Sequence, residues 1–130
     1  GPTIVADESK GFLKHLNDLI PKAEAVVISG SLPKGLDSNY YSKIIDICHE
    51  NAKPVVLDCA GETLKLALQN THKPTVIKPN IEELSQLISL ELNESTEELK
   101  NALNHQLFSK IEWIIVSLGA NGAFSKHTFD

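Results

Sequence analysis

The 130 residues predict an α/β fold, an open, mostly parallel sheet with helices on both faces. Two observations carry that expectation. Four short runs are continuously apolar and rich in Val and Ile rather than alternating, which is how strands of a parallel sheet buried on both faces read. Between them lie stretches whose apolar residues recur at spacings of three and four, the stripe of an amphipathic helix. Right-handed crossovers between parallel strands then lay those helices against the sheet.

Taken in order, the chain opens abruptly, Gly1-Pro2-Thr3-Ile4 offering neither a cap nor a completed strand. After Asp7, the residues Phe12, Leu13, Leu16, Leu19 and Ile20 mark a helix, and Ala25-Val26-Val27-Ile28-Ser29-Gly30 is the first apolar run. Tyr41, Ile44, Ile45 and Cys48 follow Ser38 as a second helix, leading into the strand Pro54-Val55-Val56-Leu57-Asp58. Leu64, Ala67 and Leu68 after Gly61 predict a third helix, and Thr75-Val76-Ile77-Lys78 a third strand. Asn80 then opens a helix carrying Ile81, Leu84, Leu87 and Ile88. Ser95-Thr96-Glu97-Glu98 has the hydroxyl and carboxylate of a capping box, with Leu99, Leu103 and Leu107 as the stripe behind it. The fourth strand is Trp113-Ile114-Ile115-Val116-Ser117-Leu118, and the sequence stops at His127-Thr128-Phe129-Asp130, soon after a glycine turn.

Composition narrows the function classes. A chain of this length with 42% hydrophobic residues can bury a core. Its formal charge is -5, and all 12 basic residues are lysines scattered among 17 acidic ones. That is a solvated surface, and it argues against a nucleic-acid partner. Without arginine, two-pronged gripping of a phosphate is closed to this chain, leaving lysine point charges and backbone N–H groups. Cys48 and Cys59 lack C-x-x-C spacing and secretory context, so both read as reduced thiols of a cytoplasmic protein. No apolar run approaches the roughly 20 residues of a membrane span. The five histidines show no ligand spacing and read as surface residues.

In a parallel sheet ligands gather outside the carboxyl ends of the strands, where this sequence puts its unusual residues. Ser29-Gly30-Ser31 follows the first strand, Asp58 ends the second, Lys78-Pro79-Asn80 the third, and Ser117-Leu118-Gly119 the fourth. Each has a plain structural reading. Pro79 ends a strand, Asn80 caps a helix, and Glu82 and Glu83 complement its dipole. Gly119 and Gly122 suit a tight turn into another strand, and Ser29 to Gly35 holds ordinary turn residues. The plain reading does not explain Lys78 at the mouth of a four-strand cleft, which an anionic ligand does. Asn80 and Glu83 stand about one helical turn apart, where a carboxylate can hold hydrated magnesium through water. The two glycines leave room for backbone approach to a nucleotide, although nothing here matches a Walker loop.

Together Ser29-Gly30-Ser31-Leu32-Pro33-x-Gly35, Leu57-Asp58-x-x-Gly61, Ile77-Lys78-Pro79-Asn80-x-x-Glu83-Leu84 and Val116-Ser117-Leu118-Gly119-Ala120-x-Gly122-Ala123 resemble the phosphofructokinase B branch of the ribokinase family, in its order and roughly its spacing. The resemblance covers essentially the whole chain. Within the branch, the segments around Asp58, Asn80 and Gly119 are most similar to kinases of tagatose 6-phosphate in lactose and galactose catabolism, with kinases of fructose 1-phosphate next.

What the resemblance implies is ATP-dependent transfer of a phosphoryl group to the 1-hydroxyl of D-tagatose 6-phosphate, with Mg2+. By position, Lys78, Asn80, Ser117, Gly119 and Gly122 would serve the nucleotide. Glu83 and Asp58 would organise the metal through water, and Gly30 and Ser31 would face the sugar phosphate. The family's glycine-rich aspartate motif, whose aspartate is the catalytic base, is absent before Asp130, and so are the family's early strands and lid. The resemblance therefore implies that residues 1–130 are one α/β segment of a kinase domain, inactive alone, from an intact protein that is a homodimer. A non-catalytic nucleotide- or phosphate-binding module is the reading of another class that the same residues permit.

Overall fold

A computed structural model describes residues 3–6, 12–30 and 39–128. Asp7, Ser31 and Ser38 lie outside the described residues. Six strands form one sheet: β1 (Thr3–Ala6), β2 (Ala25–Ser29), β3 (Val55–Asp58), β4 (Val76–Ile77), β5 (Trp113–Ser117) and β6 (Ala123–His127). They lie side by side in chain order, the first five parallel and β6 antiparallel to β5. The helices are α1 (Phe12–Leu19), α2 (Tyr40–Glu50), α3 (Gly61–Gln69), α4 (Ile81–Ile88) and α5 (Thr96–Ala102). The open, mostly parallel α/β class is the expected one, and the four apolar runs are β2 to β5. β1 forms where the opening residues promise no completed strand, and β6 is the return strand of the glycine turn.

The sequence pattern predicts helices on both faces; among the described residues they share one. A right-handed crossover that always advances in the same direction lays every connection on the same side, and the strand order here is monotonic. Accordingly α1 packs on α2, α2 on α3 and α3 on α4. The register agrees, because Ile28, Leu57, Ile77 and Ile114 stand in one row across the sheet, fully buried under Leu16, Ile20, Ile44, Ile45, Leu64 and Leu84. The neighbouring row, Val27, Val56, Val76 and Trp113, points the other way and is only partly covered, Trp113 being 38% exposed. Both rows are apolar, so each strand reads as buried on two sides although helices cover one.

Helix starts also differ from expectation in one place. Ser95 makes no side-chain cap on α5; the chain enters that helix through Asn93, whose Oδ1 accepts the Ser95 N–H at 2.8 Å. Cys48 and Cys59 are free thiols, and burial pushes Cys48 up to about 11. His15, His49 and His105 are exposed as expected, and His72 and His127 are partly covered. His72 lies 3.0 Å from Asp46, and His127 lies 3.5 Å from Glu112. No helix among the described residues is long and apolar enough to cross a membrane.

The two residues of β4 sit between β3 and β5, and Ile77 is fully buried there. Ile77→Ala is expected to cost about 2–5 kcal/mol, read as a lower urea midpoint at unchanged slope. Leu90→Ala, at a side chain 56% exposed, should stay within about 0.5 kcal/mol.

Candidate functional site

Parallel strands share one polarity, so the carboxyl ends of β2 to β5 fall on one edge of the sheet, and the placement of five of the predicted residues follows from that. Gly30 leaves β2 with φ +96° and is exposed. Asp58 ends β3 in register with Ser29 and is exposed, and Lys78 is exposed immediately after β4. Beyond Lys78 the sheet continues for one more step. Asn80 forms an isolated parallel bridge to Ser117, whose N–H donates to the Pro79 carbonyl at 3.0 Å. That bridge draws the Lys78-Pro79-Asn80 segment against the end of β5 and the turn that follows. Ser31 lies outside the described residues, so only Gly30 stands for the sugar-phosphate side.

Asn80 and Glu83 first do the plain work. The Glu83 N–H donates to Asn80 Oδ1 at 2.7 Å and the Asn80 N–H to Glu83 Oε1 at 2.9 Å, a reciprocal capping box that satisfies two orphan donors of α4. The box uses one oxygen of the Glu83 carboxylate and leaves the other for a second partner. Glu83 also lines a cavity of about 190 Å³ with Gly61, Glu62, Lys65, Gln86 and Leu87, between the start of α3 and the length of α4. That volume is below the ~300–1,000 Å³ of small-molecule pockets, and it suits a hydrated ion or a phosphate group better than a whole nucleotide.

The turn after β5 is a single 3-10 turn, Gly119–Asn121, closed by Gly122. Leu118 N–H donates to the Gly122 carbonyl at 2.8 Å, which returns the chain into β6. Gly122 sits at φ +86° and ψ −128°, a conformation that essentially only glycine adopts. A Cβ at Gly119 or Gly122 would meet no heavy atom within 4 Å. Glycine is thus required by the backbone of the turn, and the space beside it is open to an approaching ligand. Asn121 donates from Nδ2 to Glu94 Oε2 at 2.7 Å, tying the turn to the loop between α4 and α5.

Among the described residues no group of three or more His, Cys, Asp or Glu side chains is arranged to hold a metal ion. Asp58 at the end of β3 and Glu83 in the first turn of α4 are carboxylates at this edge, and a magnesium ion that keeps most of its water asks for only one or two from a protein. Sequence reasoning missed Glu62, Lys65 and Glu94. For the first two the signal is their spacing of three on the first turns of the helix after Asp58, which sets them on one side of α3; for Glu94 no local pattern exists.

Because the capping box needs an acceptor rather than a charge at Glu83, Glu83→Gln is expected to leave unfolding stability within about 0.5 kcal/mol. Asn80→Ala should cost about 0.5–2 kcal/mol, both read by urea titration.

A model of the pfkB family carbohydrate kinases matches residues 3–128. Among solved structures, phosphofructokinase-2 from Escherichia coli in complex with fructose-6-phosphate is 27% identical, with a TM-score of 0.78 over 94% of this chain and 41% of that one. Its tetrameric inhibited form is 28% identical with a TM-score of 0.77, over 94% and 41% of the two chains. A possible 1-phosphofructokinase from Thermotoga maritima shares the fold at 20% identity, with a TM-score of 0.77 over 98% of this chain and 39% of that one. The chain spans about two fifths of the length of the solved kinases it matches.

Proposed function

The chain belongs to the pfkB family of carbohydrate kinases, and we propose that it forms the nucleotide- and metal-organising part of a sugar-phosphate kinase. The proposed reaction passes the γ-phosphoryl group of ATP to the 1-hydroxyl of D-tagatose 6-phosphate, giving the 1,6-bisphosphate and ADP. The observation that carries this reading is the gathering of Lys78, Asn80, Glu83, Ser117 and the glycine turn at one edge of the sheet. The match to a phosphofructokinase solved with fructose-6-phosphate supports the wider class of ketose-phosphate substrates. Tagatose 6-phosphate is chosen within that class by the segments around Asp58, Asn80 and Gly119.

Phosphoryl transfer asks for positioning and for offset of negative charge, and little covalent work from the protein. In this reading Lys78 supplies the fixed positive charge beside the phosphates. Glu83 would serve twice: one oxygen closes the helix cap and thereby fixes the carboxylate, and the other would be free to hold a magnesium ion through water. Asp58 supplies the second carboxylate from the end of β3. Ser117 and the open side of the glycine turn face the nucleotide, and Gly30 with Ser31 the sugar phosphate. Magnesium, when bound with ATP, offsets the charge on the transferring group. No catalytic base is assigned within residues 1–130; the base, the lid and the remaining sugar contacts belong to other parts of the kinase, which acts as a homodimer in the cytoplasm.

The test is ADP release by the full-length protein containing these residues, with magnesium-ATP and each of tagatose 6-phosphate, fructose 6-phosphate and fructose 1-phosphate. Tagatose 6-phosphate should give the largest kcat/KM. Glu83→Gln should lower kcat on the order of 100-fold while melting as the parent does. A preference for fructose 1-phosphate would overturn the substrate and keep the class. Absence of turnover with every sugar phosphate would leave a nucleotide-binding module. Magnesium-dependent transfer by the 130-residue chain alone would overturn the placement of the base.

A further inference from the structure

The turn proposed to face the nucleotide has little to hold it. None of Gly119 to Gly122 is buried, and the nearest apolar side chain, Leu118, packs against the core just before the turn rather than within it. Its internal bonds are short-range: Asn121 N–H to the Leu118 carbonyl at 3.1 Å, Gly122 N–H to the Gly119 carbonyl at 3.2 Å, and the Leu118 to Gly122 bond that closes it. Two of its positions are glycines at positive φ, where the unfolded alternatives are most numerous. Among the described residues, one side-chain hydrogen bond reaches it from elsewhere, Asn121 Nδ2 to Glu94 Oε2 at 2.7 Å. The acceptor is a carboxylate, which makes the bond charge-assisted and stronger than one between neutral groups.

Glu94 sits in a loop that is itself fixed at both ends. At the α4 end, Ser89 adopts a left-handed conformation and Leu90 N–H donates back to the Ser85 carbonyl at 3.1 Å. Leu92 packs against the core, and Asn93 Oδ1 accepts the Ser95 N–H at the start of α5. The carboxylate is therefore presented from a braced loop to a turn whose own four residues lie outside the core. A binding loop ordered before the ligand arrives does not have to be ordered at the ligand's expense, so such a contact raises affinity without touching the ligand.

We propose that Glu94 is a positioning residue for the nucleotide-facing turn Gly119–Gly122, acting through Asn121, a role that rests on the nucleotide reading of that turn. The carboxylate lies outside every motif that the family resemblance rests on. The step is one of order and not of chemistry. Glu94 holds the amide of Asn121, Asn121 holds the middle of the turn, and the open side beside Gly119 and Gly122 keeps one shape.

The experiment uses the full-length protein containing these residues with two readouts, amide hydrogen exchange at Leu118, Asn121 and Gly122, and magnesium-ATP affinity by calorimetry. Glu94→Ala should speed exchange at those three amides about 3- to 10-fold and weaken ATP binding by a similar factor, at an unchanged melting temperature. Glu94→Gln, which keeps an acceptor oxygen, should recover most of both. Asn121→Ala should match Glu94→Ala, and the double variant should be no worse than either. Parent-like exchange and affinity in Glu94→Ala would overturn the proposal, as would faster exchange spread over the whole sheet with a lower melting temperature. If the parent chain binds ATP and Glu94→Ala speeds exchange without changing affinity, the positioning role alone falls. If the full-length parent binds no ATP, the nucleotide reading of the turn falls and takes the role with it.

Discussion

Everything at the carboxyl edge of the sheet depends on how β4, with two residues, is held between β3 and β5. Its own ladder is too short to fix a register, and the residues on either side complete it. Before the strand, Thr75 takes the Val55 N–H on its hydroxyl at 2.9 Å, donates its own N–H to the Val55 carbonyl at 2.8 Å, and accepts the Trp113 N–H at 2.9 Å. After the strand, the Pro79 carbonyl accepts the Ser117 N–H and Asn80 bridges to Ser117. Proline has no N–H to give and ends the strand there, yet its carbonyl still bonds to β5. A slip of one residue would turn Ile77 out of the core and carry Lys78, Asn80 and Ser117 out of alignment together.

The second face of the sheet puts a physical constraint on the whole. Val27, Val56, Val76 and Ile115 lie on it, partly covered, with Trp113 at its edge. Contiguous apolar surface of this kind is uncommon on a free-standing monomer, because a sheet is stable when each apolar face is packed against another layer. That bears on the proposed kinase, in which these residues are about two fifths of the length of the solved relatives. A second layer over this face would also explain why its residues are valine and isoleucine rather than the polar residues of a solvated sheet.

What was legible in the sequence was whatever repeats locally. The Val- and Ile-rich runs gave β2 to β5, and the three-and-four spacing placed Leu16, Ile44, Leu64 and Leu84 in the core. Strand polarity then brought Gly30, Asp58, Lys78, Asn80 and Ser117 to one edge. β6 was legible only as the strand that a tight turn at Gly119 and Gly122 would lead into, because Ala-Phe-Ser-Lys-His alternates as a half-exposed edge strand and forms no apolar run. The side on which helices pack was illegible for another reason, since it follows from strand order, and no local pattern encodes strand order. Ser95 and Asn80 show the limit of motif reading at the scale of one turn. Both stand three residues before a glutamate, and only Asn80 closes a capping box, because at Ser95 the preceding Asn93 takes the backbone N–H.

The residues of the candidate site are therefore better regarded as structural parts with spare capacity than as a separate functional set. A side chain that caps a helix is ordered before any ligand arrives, and its unused lone pairs point where the helix start points. Glu83 commits one oxygen to the Asn80 N–H, so the second is held in place without the loss of rotamer freedom that an unrestrained glutamate would suffer on binding. Gly122 likewise closes a hairpin with a backbone that only glycine adopts, and the missing side chain is what keeps the outer face of the turn open. Helix-start chemistry and phosphate chemistry converge on the same residue types because both need acceptors and donors fixed at the end of a strand. The plain reading and the functional reading of Lys78-Pro79-Asn80-Ile81-Glu82-Glu83 describe one arrangement, in which the fold sets the geometry that the proposed chemistry then uses.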